Sequence, residues 1–152
     1  MKITLDKSIG AATVRLSKKV TRIINHHLKP YCITTEQWSV LRTLYECDHI
    51  TQKQLSERSD KDQATLTKIL DLLVKNGFVE RIPNPNDRRS FFIKITEKGS
   101  SLSEELIPFL ENIYGIIIEG IPDEKLTIFQ EVLVSLEDSI QHLLDHQTER
   151  RN

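Results

Sequence analysis

No apolar run in this 152-residue chain approaches the roughly 18 or more residues of a membrane-spanning helix. The opening MKITLDKSIG lacks the apolar core of a secretory signal. Cysteine is scarce: Cys32 and Cys47 are the two, without the spacing of a metal-ligand pair. Together these absences lead to the expectation of a reduced, cytoplasmic protein with no membrane partner. Nucleophile motifs and phosphate-binding glycine loops are also missing. Of the five histidines, His142 and His146 stand four apart, but no third ligand and no HExxH frame accompany them. No enzyme, metal or cofactor is therefore expected. Internal repeats and low-complexity tracts are absent too.

With 38% apolar and 28% charged residues the chain can bury a core, as one compact domain or two small fused parts. The net charge of −1 hides an uneven distribution. Residues 1–30 carry seven Lys/Arg and one acid, whereas residues 99–152 carry three Lys/Arg and eleven acids. One part suits phosphate and the other repels it.

The fold class expected is mainly α with a small β-hairpin wing. Residues 5–28 read as a helix, with Leu5, Ile9, Ala12, Leu16, Val20, Ile23 and His27 recurring every three or four positions, and Pro30 stops it. Thr34 with Gln37 and Thr51 with Gln54 each have the spacing of a capping box. The first opens a helix burying Trp38, Leu41 and Leu44; the second opens a short one, 52–58, with Leu55 inward. Asp60 or Asp62 caps the next, about 62–76, which ends at Asn76–Gly77. Phe78–Ile82 and Phe91–Ile95 are strand-prone, joined by a Pro83–Ser90 tip too long for a tight turn. Thr96 caps a helix to about 119. After Gly120–Ile121–Pro122, a last helix, 123–146, carries Leu126, Phe129, Leu133, Leu136, Ile140 and Leu143 at alternating spacings of three and four.

Helix, turn, helix and basic hairpin is an order suited to DNA. On 62–76, Leu66, Ile69, Leu70 and Leu73 form the inner stripe. The outer side begins with small or hydrogen-bonding residues, Gln63, Ala64, Thr65 and Thr67, followed by Lys68. Such a face seats a helix deep in a major groove, with Lys68 neutralising phosphate. At the hairpin tip, Arg88 and Arg89 suit the negative potential of a narrow minor groove, and Asp87 is expected to hold a guanidinium.

These segments resemble the winged helix-turn-helix of the MarR family of bacterial transcriptional regulators. The resemblance is carried by Thr35-Glu-Gln-Trp-Ser-Val-Leu41, Ile50-Thr-Gln-Lys-Gln-Leu55, Ala64-Thr-Leu-Thr-Lys-Ile-Leu-Asp71, Leu73-Val-Lys-Asn-Gly-Phe-Val-Glu-Arg81, Pro85-Asn-Asp-Arg-Arg89 and Ile95-Thr-Glu-Lys-Gly99. Ile95 stands where the family has Leu, and Ser56 and Ala64 where it more often has Ala and Ser; Ala64 removes one hydroxyl from the DNA side. The resemblance implies an N-terminal dimerisation helix (1–30), a DNA-binding domain (31–98) and a C-terminal helical hairpin for dimerisation (99–146); the tail, 147–152, is expected to fray as a chain end. It implies a homodimer on a pseudo-palindromic operator of double-stranded DNA, with half-sites about 34 Å apart. Arg89 then takes the minor-groove role, Asp87 supports it, Arg88 contacts phosphate, and Thr65, Thr67 and Lys68 face the major groove. A repressor released by a small anionic aromatic effector is the implied mode, with Arg22, His26, Tyr31, Trp38 and Tyr114 lining the effector cleft. Two alternatives stay open: a redox-responsive regulator acting through Cys32, beside Lys29, or Cys47, and a winged-helix protein-interaction module.

Overall fold

The computed structural model describes residues 4–149. It divides into two compact units, residues 1–110 and 111–152.

In the first unit a helix, α1 (Ala12–Leu28), is entered through a π-helical segment, Asp6–Ala11, where the sequence predicts plain α-helix. Ile24 and Leu28 face the core, while Leu5, Ile9, Leu16 and Ile23 of the expected apolar stripe are exposed. A 3₁₀ turn, Lys29–Tyr31, with Pro30 near its start, ends this helix. Asn25 then accepts hydrogen bonds from both the backbone N–H and the hydroxyl of Thr35, each at 2.7 Å, which ties α1 to α2 (Thr35–Glu46). The Thr34–Gln37 box caps α2, and Trp38, Val40, Leu41 and Leu44 are buried along it.

The second box, Thr51–Gln54, caps α3 (Gln52–Ser59). Asp60 is not the next cap; it takes the left-handed conformation, φ 51°, that closes α3. Asp62 caps α4 (Gln63–Lys75) instead. Leu66, Ile69, Leu70 and Leu73 are buried, as the 3.6-residue period requires. At the far end Phe78 N–H reaches Leu73 O at 2.9 Å and Gly77 N–H reaches Val74 O at 3.0 Å. With Gly77 at φ 76°, this is a Schellman ending.

The wing departs from expectation. β2 (Val79–Asn84) and β3 (Asp87–Ile95) pair almost to their ends, with Asn84 opposite Asp87 and an irregularity at Pro83/Asn84. The connection is therefore the two residues Pro85 and Asn86, and Pro83–Ser90 is not a long open tip. Asn84 closes it by accepting from Asn86 N–H at 3.0 Å. A third strand, β1 (Ile50–Thr51), pairs antiparallel with β3 and puts β3 in the middle of the sheet. Just before it, Asp48 accepts from Ile95 N–H at 2.9 Å, and His49 stacks on Phe92 at 4.7 Å.

α5 (Glu97–Ile117) starts at the Thr96 cap, which receives Gly99 N–H at 3.1 Å. Gly99, Ser103, Leu106 and Leu110 are its buried residues within the first unit. The second unit holds the rest of α5, the Gly120 turn at φ 82°, and α6 (Asp123–Glu149). This last helix runs past residue 146, so only 150–152 of the expected frayed tail lie outside the described residues. Along α6 Phe129, Ile140 and Leu143 of the expected seam are about half exposed or more.

Candidate nucleic-acid interface

Asp62 fixes where the outward face of α4 begins. One carboxylate oxygen accepts from Thr65 N–H and the other from the Thr65 hydroxyl, both at 2.8 Å. The backbone bond first, then the hydroxyl, holds the Asp62 carboxyl below the usual aspartate range. A carboxylate with a lowered pKa contributes stability that is complete above the ordinary value and fades as pH falls through the folded one. Acidification below the ordinary aspartate range is therefore expected to loosen the first turn of α4. Asn at this position still caps but does not titrate, so Asp62→Asn is expected to remove that pH dependence. Amide exchange at Thr65 checks this; equal acid sensitivity in wild type and variant would show that another group titrates.

Gln63, Ala64, Thr65, Thr67 and Lys68 all lie exposed on one end of α4. Their hydroxyls are not idle. That of Thr65 belongs to the cap, and that of Thr67 donates to Gln63 O at 2.8 Å. Thr67 also accepts from Gln52 Nε2 at 2.9 Å, and Gln52 approaches Gln63 Oε1 at 3.5 Å. Gln52, at the start of α3, thus orders the side chains of α4. Sequence reasoning did not find it, because fifteen residues separate it from Thr67 and no local spacing marks the pair. The same is true of the Arg81–Asp71 ion pair, 2.6 Å long, which joins β2 to α4. Lys68 makes no ion pair among the described residues and projects as a free cation.

At the wing, Asp87, Arg88 and Arg89 are exposed at the start of β3. Asp87 does not hold a guanidinium as expected. Its carboxylate accepts from the backbone N–H of Arg89 at 3.0 Å and so shapes the tip. Among the described residues the ion pairs are Arg42–Glu46, Lys61–Glu36 and Arg81–Asp71, which leaves both wing arginines available. A bidentate side-chain pair competes with this turn bond, and the tight two-residue tip favours the backbone partner.

Of the residues expected to line an effector cleft, the four in the first unit are divided between two grooves and the core. Arg22 and His26 share a groove of about 410 Å³ on α1 with Lys19 and Ile23. His26 and Tyr31 share a neighbouring one of about 520 Å³ with Phe109. Tyr31 donates to Glu105 at 3.2 Å, and burial followed by that carboxylate raises its pKa. Trp38 is 7% exposed and belongs to the core of α2. Tyr114 lies in the second unit, its pKa raised by burial and then by Glu111. Cys32 is exposed and shares a groove with Lys98, whereas Cys47 is half-buried, with Arg58 Nη1 3.0 Å from its sulfur.

Comparison with known proteins gives one family model, described as "MarR family", matching residues 33–91. The multiple antibiotic resistance protein MarR of Escherichia coli K12 is 36% identical over 97 residues, 64% of this chain and 67% of that protein. Among solved structures, a MarR protein from Peptoclostridium difficile superposes with a TM-score of 0.85 at 25% identity, over 93% of this chain and 94% of that one. A mutant MarR from Escherichia coli complexed with operator DNA superposes with a TM-score of 0.80 at 27% identity, over 89% and 99% of the two chains.

Proposed function

The chain belongs to the MarR family of transcriptional regulators, and on that premise we propose that it binds duplex DNA sequence-specifically as a homodimer and acts as a repressor. One observation carries the reading. The outward side of the first turns of α4 stands exposed, pinned by the Asp62 cap and the Gln52 bridge, beside a short wing whose Arg88 and Arg89 have no ion pair among the described residues. A helix end of small and amide side chains enters a major groove, and a backbone-shaped arginine tip follows the adjacent minor groove. The relative bound to operator DNA has the same fold over most of its length, which supports this use of the surface.

The exposed Leu5, Ile9, Leu16 and Ile23 in one unit, and Phe129, Ile140 and Leu143 in the other, support a second copy as partner. Two-fold symmetry then places the operator half-sites about one helical turn apart. Release by a small anionic aromatic compound belongs to the same proposal. Arg22, His26 and Tyr31, along adjoining grooves, supply the cation and the aromatic wall such a ligand needs.

Selection of genomic fragments by the purified protein, at about physiological salt, tests the proposal. Wild type is expected to enrich a short pseudo-palindrome. Arg88→Ala/Arg89→Ala is expected to keep its fold and lose about 1–3 kcal/mol of operator affinity for each contact removed. Enrichment by neither protein would favour a protein partner for the winged lobe. Equal enrichment by both would remove the wing from recognition.

A further inference from the structure

Resting on the DNA-binding reading above, we infer that α4 selects thymine, through a methyl pair formed by Ala64 and Thr67 that receives the C5-methyl group of the base. The hydrogen-bonding groups of this face are largely engaged within the protein, and what they leave outward is apolar.

At 100° per residue, Ala64, Thr67, Lys68 and Asp71 fall on the side of α4 opposite the buried Leu66, Ile69, Leu70 and Leu73. Ala64 and Thr67 are three positions apart, so their side chains are neighbours, and both are exposed. Ala64 offers a methyl group and nothing else. A threonine ordinarily adds a hydroxyl, with one donor and two acceptor sites. At Thr67 the O–H donates to the Gln63 carbonyl at 2.8 Å, and the oxygen accepts from Gln52 Nε2 at 2.9 Å. The donor is spent, and one acceptor site is filled from another helix. Gln52 is itself half-buried at the start of α3, which restrains its amide. Two bonds in different directions fix the Thr67 rotamer, and with it the place of the methyl group.

Neighbouring polar groups are engaged in the same way. The Thr65 hydroxyl donates to Asp62 at 2.8 Å, and Asp71 pairs with Arg81 at 2.6 Å. Gln63 Oε1 stands 3.5 Å from Gln52 Nε2, which leaves the Gln63 N–H groups to act as donors. Three acceptors of this surface, Thr67 Oγ1, Gln63 Oε1 and the Asp71 carboxylate, thus each have a donor within the protein. Gln63 and Lys68 supply donors toward DNA.

The base edges of the major groove sort against this pattern. Adenine and cytosine display amino donors, which require an acceptor opposite them. Guanine displays two acceptors but no methyl group. Thymine displays one acceptor, O4, beside its C5-methyl. A methyl pair next to an amide donor matches thymine on both counts and each other base on one at most.

The test uses the duplex that the full chain enriches most from a random-sequence library. It is synthesised with thymine, or with uracil at one thymine in each half-site in turn. Uracil keeps O4 and lacks only the methyl group. At the position under α4, uracil is expected to weaken binding about fourfold for each methyl removed, the worth of burying one such group, and about tenfold or more when both half-sites are changed. Thr67→Val keeps a methyl and loses the hydroxyl; it is expected to retain the preference for thymine. Thr67→Ser keeps the hydroxyl and loses the methyl; it is expected to lose most of that preference. Helical circular dichroism confirms that both variants fold, and the uracil comparison in wild type needs no variant. Equal binding of thymine and uracil duplexes at every position, with sequence-specific binding intact, overturns the thymine contact and leaves DNA binding standing. So does a preference kept by Thr67→Ser and lost by Thr67→Val, which would make the hydroxyl the reader. A preference that both variants keep in full arises from groove shape and also overturns the methyl contact. A wild type that enriches no sequence overturns the DNA-binding reading and this inference with it.

Discussion

Leu55→Ala is expected to destabilise the first unit by about 2–5 kcal/mol and to weaken DNA binding with it. α3 has eight residues, Gln52–Ser59, and Leu55 is the one among them that is buried, with no exposed surface. A helix this short does not sustain itself in water. Its capping box satisfies two end N–H groups but provides no hold on the rest of the lobe. Deleting the leucine side chain removes both the transfer energy and the packing, and leaves a cavity. The consequence reaches the surface, because α3 carries Gln52, whose amide holds Thr67 on α4. Denaturant unfolding measures the first effect and operator titration the second. A loss below about 1 kcal/mol would show that the capping box, and not burial, holds α3 in place.

Gly99→Ala is expected to cost about 3 kcal/mol, at the upper end of overpacking. The reason is close approach. A Cβ at Gly99 would overlap the carbonyl oxygen of Phe78 and stand 2.8 Å from Ile95 Cγ1 and 3.1 Å from the Phe78 carbonyl carbon. That carbonyl already accepts Thr96 N–H at 3.0 Å, and Thr96 in turn donates to Gly77 O at 2.6 Å. The backbone is pinned from both sides and has no cheap direction in which to yield. Gly77→Ala provides the comparison. There the nearest contact, Lys98 Cδ, is 3.7 Å away, and the cost is the left-handed φ of 76°, about 1–2 kcal/mol. Paired thermal melts check the order. A milder effect at Gly99 than at Gly77 would mean that the end of α4 and the start of α5 slide apart easily.

Features that depend on residues three or four apart are legible in the sequence. Thr34 and Thr51 sit at the caps that their Gln partners announce, and the Leu66–Ile69–Leu70–Leu73 stripe of α4 is buried. Gly77 takes the positive φ that its position after Asn76 suggests. Each is a local interaction whose geometry follows from the helical period. Features joining distant segments were not readable. β1 is two residues long and has no strand signature of its own; it exists because β3 offers Phe92 and Ile93 as partners. The wing strands are longer than the sequence predicts because Pro83 and Pro85 read as loop, whereas their place beside the tip lets the ladder continue around them.

The candidate site divides along the same line. Which side chains point outward from α4, and that arginines stand at the wing, follow from the order of residues alone. What those side chains are bound to does not. The Asp87 carboxylate binds the backbone of Arg89 and not a guanidinium, and Cys47 has Arg58 beside its sulfur. The amino-acid order by itself determined the helices, most of their caps, the basic and acidic ends of the chain and the outward residues of α4, because periodicity and charge act within a few residues of one another. Only the tertiary structure decided the third strand, the Gln52–Thr67 and Arg81–Asp71 links and the left-open apolar faces, because those depend on which surfaces meet once the core has closed.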